Sequence, residues 1–186
     1  MLYLSTKLYD IPLLSIRSGG RIGTVIKPII NPHNLHVDGF YCQAVQSNVP
    51  VVLLDINVRD ISPRGIIIDD HVDLSTPDEL VRLKPVLDMN YGLEDKAALV
   101  NKKKIGKIIE FAIDSKSLFI QKLYVQPRVW GSLKQDRLTF DRQSIIEVTD
   151  TYVSFKGPEV KDAISLPRFN RATGADYSAN ASTMSE

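Results

Sequence analysis

The chain has little of what reactive or membrane-bound proteins are usually built around. There is one cysteine, Cys42, in 186 residues. That excludes an internal disulfide and a thiolate metal cluster, and a reducing compartment follows as the simplest reading. There are three histidines and one tryptophan. The longest apolar runs, Val49 to Leu54 and Ile66 to Ile68, fall far short of the ~20 residues a membrane helix needs. The first residues, Met1 to Leu8, have no basic segment followed by a long apolar one, so they do not read as a secretory signal. A cytoplasmic protein without membrane insertion is expected. Charge of one sign is also missing: the net charge is +1, which excludes a uniformly basic nucleic-acid binder. With 44% hydrophobic and 24% charged residues, neither a wholly disordered nor a collagen-like chain fits.

Short β-rich stretches dominate. Ile11 to Ile16, Arg21 to Ile30, Gly39 to Ala44, Val49 to Leu54 and Gly65 to Ile68 read as strands. The turns between them are Ser18-Gly19-Gly20, Asn31-Pro32-His33-Asn34 and Ser47-Asn48. Thr76-Pro77-Asp78-Glu79 is a capping-box signature. Leu80, Val81, Leu83, Val86 and Leu87 follow it with helical spacing, and Pro85 is expected to kink or end that helix. Strands resume with Leu99-Val100, the turn Asn101 to Lys104, Ile105 to Ile113, Leu118 to Gln126, Asp136 to Phe140 and Val153 to Phe155. From Glu159 the periodicity vanishes, and Thr173 to Glu186 reads as a disordered tail.

The pattern occurs twice. Arg21-Ile22-Gly23-Thr24-Val25-Ile26 falls on Lys104-Ile105-Gly106-Lys107-Ile108-Ile109, 83 positions on. Asn57 to Ser62 falls on Ser144 to Thr149, 87 positions on. The second copy therefore holds about four extra residues, placed in the loop around Arg128 to Lys134. A sheet of one such copy has two exposed edges, and closing it into a barrel removes them. Two small β-barrels joined by a helical linker are expected, packed on each other with Leu80, Val81 and Leu83 wedged between them.

Several of these residues resemble the photosynthetic-reaction-centre (PRC) barrel family. In the first copy they are Ile11 to Val25, then Ile29-Ile30-Asn31-Pro32, then Val37-Asp38-Gly39-Phe40, then Asp55 to Ile61. The second copy keeps Ile105-Gly106-Lys107-Ile108, Ile113-Asp114 and Ser144 to Val148, without the Asn-Pro and Gly-Phe pairs. The resemblance covers roughly residues 8–157. It implies a mainly β fold with two PRC-like barrels in tandem: a first barrel over 1–72, a linker with a short helix over 73–92, a basic second barrel over 93–158 and a tail over 159–186. The family includes the C-terminal barrel of the ribosome maturation factor RimM, and its known members bind other macromolecules. What it implies here is a non-catalytic interaction or adaptor module for a protein or ribonucleoprotein, and a homodimer is compatible with it. An RNA-linked role in RNA metabolism or ribosome maturation is the alternative.

Catalytic groupings are thin. His33-x-x-His36 has ligand-like spacing but no third ligand nearby, so a solvated turn is the expectation. Asp69-Asp70-His71-Val72-Asp73 lacks the glycine and terminal glutamate of a calcium loop and reads as a charged linker. Cys42 reads as a buried structural thiol. Gly19-Gly20-Arg21-Ile22-Gly23 lacks the Lys-Ser/Thr of a phosphate loop and reads as a hairpin turn. No enzyme, metal or cofactor is expected. Segment charges are more telling: −1 for 1–75, −3 for 76–95, +6 for 96–157 and −1 for 158–186. Lys102, Lys103, Lys104 and Lys107 crowd one hairpin, and Lys122, Arg128, Lys134 and Arg137 follow around Trp130. Together they form a candidate patch for phosphates or an acidic partner, with Trp130 available for stacking. Lysines at turns and strand edges also keep β-proteins soluble, and that alternative stays open.

Overall fold

The computed structural model describes residues 1–45, 47, 49–127 and 137–157. Among them the chain is mainly β, with fourteen strands in two sheets and one short α-helix. No helix among the described residues is long and apolar enough to cross a membrane. The first sheet uses β2 (Pro12–Ser15), β3 (Gly20–Asn31), β4 (His36–Ala44), β5 (Pro50–Leu54), β6 (Asp60–Ser62), β7 (Gly65–Ile68) and β8 (Leu74–Ser75), in the order β6-β7-β2-β3-β4-β5-β8. The helix α1 (Lys84–Met89) follows. The second sheet uses β9 (Ala97–Val100), β10 (Lys103–Asp114), β11 (Ile120–Pro127), β12 (Leu138–Asp141), β13 (Ile145–Val148) and β14 (Tyr152–Phe155), in the order β12-β11-β10-β9-β14-β13.

The two sheets repeat one plan. Each has a four-strand antiparallel run, then a two-strand hairpin whose second strand returns parallel to the first strand of the run. The agreement extends to irregularities. The β3–β4 register slips between Val25 and Lys27 and between Ile29 and Ile30; the β10–β11 register slips between Ile108 and Glu110 and between Ala112 and Ile113, each 83 positions on. Such bulges bend a strand and deepen its twist. Leu35 and Leu118 both take positive φ (53° and 54°). The spacing becomes 87 between Pro127, which matches Ala44, and Leu138, which matches Val51, so the four extra residues do lie in the β11–β12 connection.

The copies interlock. The chain ahead of the first sheet crosses to the second: β1 (Leu2–Leu4) pairs antiparallel with the end of β10, with Leu2 opposite Asp114 and Leu4 opposite Ala112. A 3-10 turn over Ser5–Lys7 continues along the same strand. There the Phe111 amide donates to Ser5 Oγ (3.2 Å) and Thr6 Oγ1 donates to the buried Glu110 carboxylate (2.6 Å). The chain ahead of the second sheet crosses the other way, and α1 sets Leu87 against Ile29 of β3 and Val52 of β5. Lys27 donates to Asn90 just beyond the helix. Between these arms the two matching turns meet. Val37 N–H donates to the Leu118 carbonyl (3.0 Å), and Ile120 N–H donates to the Leu35 carbonyl (2.9 Å). His36 meets Phe119 edge-on at 4.7 Å between ring centres. These turn contacts are reciprocal with the copies exchanged, the self-complementary pattern of a two-fold dimer. One continuous core results, with Leu8, Phe40 and Ile66 from one half and Leu93, Phe111 and Phe155 from the other.

Four expectations change. The N-terminal residues belong to the second sheet's ladder through β1, because an extended Leu-Tyr-Leu segment finds an open stretch of β10 beyond β9. Pro85 starts the helix instead of ending it: it sits in the first turn of α1, where its missing N–H has no partner to lose. The capping box at Thr76 is present but caps a separate 3-10 turn, Pro77–Glu79. Leu80 and Leu83 pack with Leu87 on the first sheet, while Val81 is 75% exposed, so that trio does not form a wedge between the units. The expected tail, 159–186, lies outside the described residues.

Candidate functional site

The basic hairpin is built by its turn. Val100 pairs with Lys103, leaving Asn101 and Lys102 as a two-residue loop, and both take positive φ (49° and 63°). That is the backbone of a type I′ hairpin, whose twist matches the strands it joins. The turn projects Lys102, Lys103 and Lys104 as exposed side chains, and none of them has an ion-pair partner among the described residues.

The other basic positions are not gathered there. Lys107 faces Asp95 at 3.4 Å, Lys122 faces Asp141 at 3.0 Å, and Arg137 faces Glu110 at 3.3 Å. The Asp141 carboxylate raises the Lys122 ammonium above the usual lysine range. Lys122 also stands opposite Ala112, nine residues along β10 from Lys103, which is roughly 30 Å of strand. Arg128, Trp130 and Lys134 lie outside the described residues. The single expected patch is thus a tight unpaired trio plus charges already matched by neighbours.

An apolar groove of about 680 Å³ borders the hairpin and was not legible in the sequence. It is lined by Val100 and Ile105, the two ends of the hairpin, by Leu138, Phe140 and Asp141 of β12, and by Lys156 and Gly157. Phe140 is held by stacking on Phe155 at 4.2 Å. The first copy has a counterpart of about 400 Å³ beside Ile22 and Val51, the residues matching Ile105 and Leu138, and it is also lined by Leu74 of β8 and Asp70.

The remaining candidates have structural work. His36 is a junction residue and not part of a solvated turn: its Nδ1 lies 2.8 Å from Asp38, and its ring packs on Phe119. The matching position in the second copy has Arg142 over Phe119 at 4.3 Å, donating to the Asn34 carbonyl (2.7 Å). Asp70 caps the 3-10 turn His71–Asp73; the His71 amide, above all, holds its carboxyl below the usual range. Asp69 is held down by the hydrogen bond from exposed Arg59. Cys42 is fully buried and burial pushes its thiol up to about 12, so it is no nucleophile at neutral pH. Among the described residues no three His, Cys, Asp or Glu side chains converge as metal ligands. No protein-family model and no curated protein matches the chain.

Proposed function

We propose that the protein is a non-catalytic interaction module of the PRC-barrel type, each sheet forming one PRC-like barrel and the segment with α1 linking them, and that it holds a protein or ribonucleoprotein partner. One observation carries the reading: three lysines without ion-pair partners among the described residues stand on a hairpin turn that borders an apolar groove. An apolar centre with a charged rim is the usual anatomy of a protein-binding patch. The repeated strand plan supports the family reading, since the strand glycines Gly23 and Gly106, the bulges and the returning parallel strand fall at matching positions in both copies. A cytoplasmic location fits it. The alternative, an RNA-linked role, draws on the same three lysines. It is the weaker reading because Lys107, Lys122 and Arg137 already have carboxylate partners. Three phosphate contacts would give a modest salt slope, roughly −2 to −3 in log K against log salt.

A tagged full chain used to capture partners from an extract of its own cells, with and without nuclease, tests this. The expected result is a partner retained through nuclease treatment and lost from the K102E/K103E/K104E variant. Material that disappears with nuclease favours the RNA-linked alternative, and a triple variant that captures as well as the wild type overturns the proposal.

A further inference from the structure

We propose that the second sheet takes up an extended acidic peptide along β12, seating one apolar side chain in the groove between Val100, Ile105, Leu138 and Phe140. This rests on the reading of the protein as an interaction module and names the chemistry of its partner.

The first copy supplies the template. There the outer edge of β5 is paired by β8, with Ser75 opposite Val52 and Leu74 opposite Leu53. Leu74 thereby packs onto the core beside Val51. By the spacing of 87, Val52 and Leu53 correspond to Thr139 and Phe140 of β12. β12 has β11 on one side and, among the described residues, no strand on the other. Its outward amides and carbonyls are an open ladder, and an extended segment adds to such an edge by main-chain hydrogen bonds while a pocket selects its side chains. Among the described residues the same fold thus shows the edge filled once and open once.

Charge decides what kind of segment fits. The first hollow is lined by Asp70 together with Arg21 and His71, whereas the second groove is lined by Lys156 and by Asp141, whose carboxylate already faces Lys122 at 3.0 Å. Lys102, Lys103 and Lys104 stand on the hairpin that joins the groove's own Val100 and Ile105. Lys156 and the three hairpin lysines give this end an excess of positive charge, and the complementary strand carries aspartate or glutamate around its apolar residue. The larger volume, about 680 against 400 Å³, suits leucine or a larger side chain opposite Phe140.

The test uses the full chain and a fluorescein-labelled eight-residue peptide alternating leucine with aspartate and glutamate. A control peptide of equal composition has its leucines consecutive. The alternating peptide should bind by anisotropy and the control should not. L138D, at a residue already 40% exposed, should weaken binding by roughly ten- to a hundredfold through the lost apolar contact. K156E should weaken it in a salt-dependent way. Amides of residues 138–141 should gain exchange protection when the peptide is added. No binding, or protection gained elsewhere, overturns the inference. So does protection, in the free chain, of those amides of 138–141 that face away from β11, since its own residues 158–186 or a second copy would then fill the edge. A captured, nuclease-resistant partner alongside a silent peptide would remove the groove and leave the interaction module standing.

Discussion

Truncating Leu8 to alanine should cost about 3–4 kcal/mol and lower the melting temperature by roughly 7–14 °C, in a single transition that takes both sheets together. Leu8 is fully buried yet sits on the arm that crosses from the first copy to the second, just after the turn bound to Phe111 and Glu110. Its loss leaves a cavity in a core to which both halves contribute, and such cavities are only partly relieved by relaxation. Leu93, fully buried at the matching place on the opposite arm, should behave alike when changed to alanine. Val81→Ala, at an exposed position, should stay within about 0.5 kcal/mol. Thermal unfolding followed by near-ultraviolet circular dichroism reads all three. Two separated transitions in Leu8→Ala would refute the shared core.

Gly106→Ala is the second large effect, expected at about 3 kcal/mol. A Cβ built there would stand 2.1 Å from the Gln126 carbonyl oxygen and 2.9 Å from its carbon, and both belong to the paired strand β11. A backbone neighbour cannot swing aside as a side-chain tip can, so β10 and β11 must separate locally. Gly23, the matching glycine, meets the Gln43 carbonyl at 2.7 Å and should show a smaller loss in the same sense. Gly20→Ala has nothing within 4 Å and serves as the neutral control. Urea midpoints with unchanged slopes would report the stability change directly. Near-equal midpoints for Gly106→Ala and Gly20→Ala would show that the β10–β11 approach is not as close as described.

The repeat was readable because the close approach forces it. Ile22-Gly23 and Ile105-Gly106 each place a glycine where a strand crosses a carbonyl, flanked by aliphatic residues that alternate into the core. The long strands followed for the same reason, and their ends fell within three residues of those expected. Short strands such as β7 and β14 were legible as well, but β6 and β13 were not. β6, Asp60-Ile61-Ser62, buries one side chain, and β13 leaves Glu147 and Ile146 exposed, so neither shows alternation against its turns. The exchange of arms was invisible because Leu2-Tyr3-Leu4 suits any open edge; only the fold decides that the edge belongs to β10. Pro85 opens α1, which the sequence does not reveal because a proline within an apolar run looks the same whether it opens a helix or breaks one. The candidate site divided along similar lines. Lys102 to Lys104 are contiguous and needed only a turn to gather them, whereas the partners of Lys107, Lys122 and Arg137 lie 12 to 27 positions away in sequence. The groove arises from residues as far apart as Val100 and Phe140, which no local pattern joins.

Native-state hydrogen exchange along a urea series tests the interlocked fold most directly, because that fold is what fixes the hairpin and groove in place. Amides of β3 and β10, together with the Phe111 amide bound to Ser5, should merge into one global opening with one free energy and one slope. Opening of the β10–β11 amides at a lower free energy than those of β3–β4 would contradict it and show two units that unfold independently.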